Sequence, residues 1–179
     1  SIFASGPASA QAPATLDQQL MQQGEQLSAE GKFAEAAAKY EELITKFPQM
    51  PSVPEAHFRA GYAHYLAGNH DAALAAFKKV IDNRTLPPEL AQLNELALSM
   101  TPQVLASKAA KIKLDDPARK TALEEAVKQF DVYLTKYPNT DEAESATYGK
   151  ALALYQINKY DQAIEALRKR ETEMPSVSN

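Results

Sequence analysis

Cysteine and tryptophan are both absent from this 179-residue chain, and histidine occurs only three times. Without cysteine there is no disulfide, no thiolate nucleophile, no thiolate–zinc site and no lipidated N-terminal cysteine within these residues. The same absence leaves the redox compartment open. No apolar run approaches the roughly 20 residues that span a bilayer. The longest candidates are short pieces such as Ala151–Tyr155. An excess of basic charge is missing too. A net charge of −4 provides no field for attracting phosphate backbones, so no nucleic-acid partner is expected. No Gly-rich phosphate loop, Ser/His/Asp grouping or HExxH motif occurs, so neither an enzyme nor a cofactor is expected. His57 and His64 lie two helical turns apart, about 10 Å, too far to share one ion. Together with His70 they read as structural. Asp115 and Asp116 read as a helix cap and its neighbour rather than an acid–base pair.

What is present is repetition. A phrase recurs at Gly31-Lys-Phe-Ala-Glu-Ala-Ala, Gly68-Asn-His-Asp-Ala-Ala-Leu and Asn158-Lys-Tyr-Asp-Gln-Ala-Ile. Each copy pairs an alanine with a large apolar residue four positions on: Ala36/Tyr40, Ala73/Phe77 and Ala163/Leu167, with a fainter copy at Ala126/Phe130. Recurrence at this scale predicts stacked helical pairs in which neighbours complete one another's core. Apolar periodicity and Pro, Gly or Asn punctuation predict eight helices. They run about Leu16–Ala29, Phe33–Lys46, Val53–Ala67, Asp71–Asp82, within Pro87–Leu114, Pro117–Lys136, Thr140–Asn158 and Tyr160–Glu173. Asp71, Asp116 and Asp161 are expected to sit at helix starts and accept orphan N–H groups there. The marker alanines are spaced 37, 53 and 37 residues apart, which places an insertion around 87–116. Pro102 within it either kinks a helix or lets Thr101 cap a new one.

Close helix crossings need something small. Gly24 and Gly61 in the first helix of a pair, and the marker alanines in the second, meet that need. Phe33, Tyr40, Phe77, Phe130 and Tyr160 are expected to fill the space around them. In these residues the chain resembles the tetratricopeptide repeat (TPR) family. Unit one carries the pattern as Leu20, Gly24, Leu27, Ala36, Tyr40, Leu43 and Pro48; unit two as Gly61, Gly68, Ala73, Phe77 and Val80; the last as Tyr155, Tyr160, Ala163, Leu167 and Pro175. Departures are the 53-residue unit, the 37-residue spacings and Ala151 where glycine is usual. The joints Lys46-Phe-Pro48, Lys136-Tyr-Pro-Asn-Thr140 and Glu173-Met-Pro-Ser176 resemble those of bacterial envelope TPR proteins, such as the outer-membrane assembly lipoprotein and the Tol-Pal coordinator. The resemblance implies an all-α, right-handed α-α superhelix over residues 16–179, in a periplasmic or envelope setting or otherwise the cytoplasm.

It also implies a concave groove lined by the first helix of each pair, where a protein or peptide segment binds. The residues placed there are Met21, Glu25 and Ser28, then Phe58, Arg59, Tyr62 and Tyr65, then Tyr148, Leu152 and Tyr155. Aromatic groups at such positions offer contact area at small entropic cost. Phe58 and Tyr65 equally suit packing between repeats. The Lys and Asn that grip a C-terminal carboxylate in some relatives are replaced by Met21, Glu25, Phe58 and Tyr62, which disfavours that ligand. The alternative function is a structural spacer with an unused groove. Residues 1–15 read either as a signal-peptide remnant, with Ala8-Ser9-Ala10 as cleavage motif, or as an Ala/Ser/Pro tail. Ile2-Phe3 are candidates to lie in a neighbouring copy's groove. At the other end, helix eight is apolar along Ala163, Ile164 and Leu167. That predicts either a longer array or self-association through the C-terminal helix face.

Overall fold

The computed structural model describes residues 14–173. The tail at 1–13, with Ile2, Phe3 and the Ala8-Ser9-Ala10 motif, and the closing Pro175 lie outside the described residues. Eight α-helices follow one another: α1 Leu16–Ala29, α2 Phe33–Lys46, α3 Val53–Leu66, α4 His70–Ile81, α5 Ala91–Ala110, α6 Pro117–Lys136, α7 Asp141–Gln156 and α8 Tyr160–Glu173. A 3₁₀ turn, Pro88–Leu90, precedes α5, and there is no strand among the described residues. Each helix packs on its sequence neighbours, and α5 also touches α3 and α7. The odd-numbered helices form one layer and the even-numbered helices the other.

The recurring phrase is a device for ending the first helix of a pair. At Gly31, Gly68 and Asn158 the backbone turns to φ 74°, 80° and 63°. The N–H of the following residue then reaches back to Leu27 O (2.8 Å), His64 O (2.8 Å) and Leu154 O (2.9 Å). This left-handed closure satisfies carbonyls the helix would otherwise orphan and reverses the chain in two residues. Glycine adopts it freely and asparagine is the usual substitute. Helices α2 and α6 end differently. Phe47 and Tyr137 take almost the same conformation, φ −131°, ψ 54° and φ −132°, ψ 62°. The proline after each excludes the helical region. Tyr133 then hydrogen-bonds Thr140 through their hydroxyls at 2.7 Å, fixing the start of α7.

Small residues sit where helices cross. A Cβ on Gly24 would lie 2.5 Å from the Tyr40 ring, and one on Gly61 would lie 2.8 Å from that of Phe77. Gly149 on α7 plays the same part against Phe130 of α6, again at 2.5 Å. It stands two residues from Ala151, where the repeat pattern looks for glycine. Tyr40, Phe77 and Phe130 are buried as expected and Phe33 is half-buried, but Tyr160 is 49% exposed, met on one side by the Tyr155 ring.

Of the local expectations, one is borne out, one is corrected and one open alternative is decided. Asp116 does cap α6, accepting from Ala118 N at 2.9 Å. Asp71 caps nothing: α4 begins from Asn69 and His70, and the Asp71 carboxylate is ion-paired with Lys108 of α5. Pro102 lies within one continuous helix, so no new helix starts at Thr101. Side chains answer carbonyls around it, with Thr101 Oγ1 donating to Ala97 O at 2.8 Å and Ser99 Oγ to Leu96 O at 2.9 Å. The 53-residue spacing is absorbed by the 3₁₀ turn and by the 20-residue lengths of α5 and α6.

Candidate protein-binding face

On the odd helices, residues three or four apart share a face, and the candidate residues divide according to what lies beside them. Phe58 and Tyr65 are half-buried in the cluster that joins α3, α4 and α5, with Phe77, Leu74 and Met100. The Phe58 and Phe77 ring centroids are 5.6 Å apart, and Tyr65 meets His70 edge-on at 6.4 Å. These two aromatics hold repeats together. Tyr62 lies between them in sequence yet keeps 44% of its surface exposed, and Leu66, one turn on, is also exposed. Sequence reading missed Leu66, although its four-residue spacing from Tyr62 was the available signal.

Arg59 lies beside Tyr62 in a network that crosses from α3 to α1. Its Nη2 is 2.7 Å from Glu55 Oε1 and 3.1 Å from Glu25 Oε1. Partial burial pulls against its charge, but the carboxylates of Glu55 and Glu25 outweigh that and raise its pKa further. Asp17, Glu25 and Glu55 border an open hollow of about 370 Å³ with Met21 at its wall. Arg59 offsets part of the charge of Glu25 and Glu55, so this end of the face keeps a net negative balance beside Met21.

Tyr148, Leu152 and Tyr155 form a stripe on α7 that is 61%, 58% and 61% exposed. Tyr155 stacks at 5.2 Å on Tyr160 of α8, so the stripe runs on into that helix. Since α5 separates α3 from α7, the seven candidates make two patches. Tyr62 and Arg59 belong to the first, and Tyr148, Leu152 and Tyr155 to the second.

The histidines serve packing. His70 is buried and bonds Ser107 of α5 at 3.0 Å. Burial lowers its pKa, as do Lys111 and Lys108, while Asp71 opposes them. Burial also lowers that of His57, helped by Lys79. His64 lies 2.8 Å from Glu41 of α2. No group of three potential metal ligands converges among the described residues, and no helix there is long and apolar enough to cross a membrane.

Residues 21–86 and 118–173 match the family described as Tetratricopeptide repeat. Together the matched stretches take in well over half the chain, leaving out the region of α5. No curated protein matches it.

Proposed function

Because the chain belongs to the tetratricopeptide repeat family, whose repeats generally mediate protein–protein interaction, we propose that its odd-helix layer is a scaffold for a peptide segment of apolar and basic character. The supporting observation is the contrast along α3. Phe58 and Tyr65 are taken up by packing, whereas Tyr62 and Leu66 stay open, and the carboxylates of Asp17, Glu25 and Glu55 border a hollow nearer the start of that helix. An amphipathic aromatic residue held on a rigid helix suits a hot spot. The acidic border favours lysine or arginine in the ligand and gives binding that weakens with salt. Leu152, at the position of Tyr62 in the last pair, extends the surface toward the far end. The style of the Phe-Pro and Tyr-Pro joints supports a bacterial periplasmic or envelope setting, which an alkaline phosphatase fusion of the whole gene product would test.

The test uses a displayed peptide library selected on the chain, followed by fluorescence anisotropy of the selected peptides. Tyr62→Ala combined with Leu152→Ala should weaken binding at least about tenfold, the loss of two anchors, with unchanged helical circular dichroism. Binding retained by that variant would overturn the groove assignment. The spacer reading draws support from the Arg59 network, which ties α1 to α3 across the face; it predicts that no peptide is selected at all.

A further inference from the structure

The even-helix layer carries two equivalent hollows. One lies between α2 and α4 with α3 as its floor and holds about 480 Å³; the other lies between α6 and α8 over α7 and holds about 340 Å³. An offset of 90 residues relates them, so that Ile44, Thr45 and Ala76 of the first recur as Leu134, Thr135 and Ala166 of the second. Neither is a product of the stack's end. The α2/α4 hollow stays open although four helices follow α4, and by the same geometry a further pair packed beyond α8 leaves its counterpart open.

Their charges differ. The first hollow is bordered by one acid, Glu41, and one base, Lys79, beside His57. The second keeps the acid as Asp131 and the base as Lys169, and adds Lys150 where the first has Ala60 and Arg170 where the second pair buries Val80. Both added cations are drawn into the fold. The Lys150 side chain is only 22% exposed and reaches from α7 to Asp131 of α6 at 2.6 Å. The half-buried Arg170 donates through Nη1 to Pro138 O at 2.6 Å, a neutral acceptor. Taking a cation partly out of water costs free energy that alanine or valine at these positions avoids, so packing alone explains neither. Leu134, Pro138 and Ala166 complete the wall with apolar surface, which strengthens charge interactions inside it.

We propose that the α6/α8 hollow binds a phosphate dianion, either inorganic or as the monoester of a small molecule. Its oxygens face Lys150 and Arg170, whose guanidinium, steadied by Pro138 O, offers its other N–H donors in the planar fork that suits a phosphate edge. Asp131 sets the selectivity. A doubly charged ligand outcompetes that carboxylate for Lys150, whereas a singly charged one does not. The volume leaves room beside the phosphate for a small organic group.

The experiment is isothermal titration calorimetry of the 179-residue chain with inorganic phosphate, glycerol 1-phosphate and acetate, at constant ionic strength and about pH 8, where the phosphates are dianions. Both phosphates should bind and acetate should not. Tighter binding of glycerol 1-phosphate assigns the site to a monoester, and equal binding assigns it to inorganic phosphate. Arg170→Gln should weaken phosphate at least about tenfold, the loss of a charge-assisted contact. Asp131→Asn should tighten it at least about threefold by releasing Lys150, an effect that a purely structural ion pair does not produce. Lys79→Gln, in the α2/α4 hollow, should leave it unchanged. The proposal is overturned by a parent chain that binds neither phosphate, by acetate binding as tightly as phosphate, or by an Asp131→Asn chain that melts like the parent yet binds phosphate no better.

Discussion

Replacing Gly61 with alanine sets two well-characterised effects against each other. In a helix interior alanine is favoured over glycine by about 1 kcal/mol, and an exposed Gly61 would simply gain that amount. The structure forbids the simple result. The new methyl would sit 2.8 and 2.9 Å from two ring carbons of Phe77 and 3.3 Å from the Ala73 carbonyl oxygen. The ring is fully buried, with Phe58 stacked at 5.6 Å behind it, and Ala73 O is backbone. Neither can retreat without moving α3 from α4. Overpacking of this kind costs about 2–3 kcal/mol, so Gly61→Ala should lose about 1–2 kcal/mol net, or about 2–8 °C in melting temperature at this chain length. The last pair suggests the remedy, since it carries Ala151 and Leu167 where the second carries Gly61 and Phe77. Phe77→Leu alone should cost about 1–2 kcal/mol, short of the 3–5 for complete truncation. The double variant Gly61→Ala/Phe77→Leu should be no worse than Phe77→Leu, a coupling of at least about 1 kcal/mol. Urea denaturation of the four proteins, with the slopes compared for constancy, measures the cycle. A Gly61→Ala protein as stable as the parent, or additive losses in the double variant, would refute the steric account.

Other consequences are simpler. Gly68→Ala should destabilise by about 1–2 kcal/mol, because a side chain at φ 80° is strained even though the helix end is partly open; Asn158→Gly should be tolerated or mildly stabilising in the same melts. His57 and His70 both have lowered pKa values, so the unfolded chain takes up their protons first. Stability from this source is present above the ordinary histidine range near 6.5 and lost as pH falls below it. His57→Gln with His70→Gln should flatten that slope in denaturation curves between about pH 7 and pH 5.5, and an unchanged slope would show that carboxylates control it. Tyr133→Phe should cost about 1 kcal/mol by leaving Thr140 without its 2.7 Å partner.

The helices were legible because their ends are written in chemistry the chain cannot evade. Gly31, Gly68 and Asn158 mark left-handed closures, and Pro48 and Pro138 block continuation. Gly24 and Gly61 were readable because the repeat spacing leads to them. Gly149 was not, because it serves the crossing between repeats, two positions from the place that spacing indicates. Asp71 was misplaced for a related reason. Its local signal, an acid near a helix start, was real, but its partner Lys108 arrives from 37 residues away through the inserted α5. Pro102 left two outcomes open in sequence, and the packing of Ala97, Leu98 and Val104 on both sides of the proline supports a single helix.

The candidate site shows where such reading stops. Phe58 and Tyr148 occupy equivalent positions, as do Tyr65 and Tyr155, and periodicity treats the members of each pair alike. Their surroundings differ because α5 lies over the second pair and no described element lies over the last. An aromatic on an odd helix is therefore a packing residue or a docking residue according to its neighbour, whatever its own identity. Of the seven candidates, only Tyr62 and Leu152 stand at a position exposed in both pairs. Exposure that survives stacking points to the groove, whereas exposure found only in the last pair reflects that no described element lies over it. On that distinction Tyr62 and Leu152 are the groove's anchors, so Tyr62→Ala with Leu152→Ala should weaken binding of a selected peptide more than Tyr148→Ala with Tyr155→Ala, and the reverse order would refute the distinction.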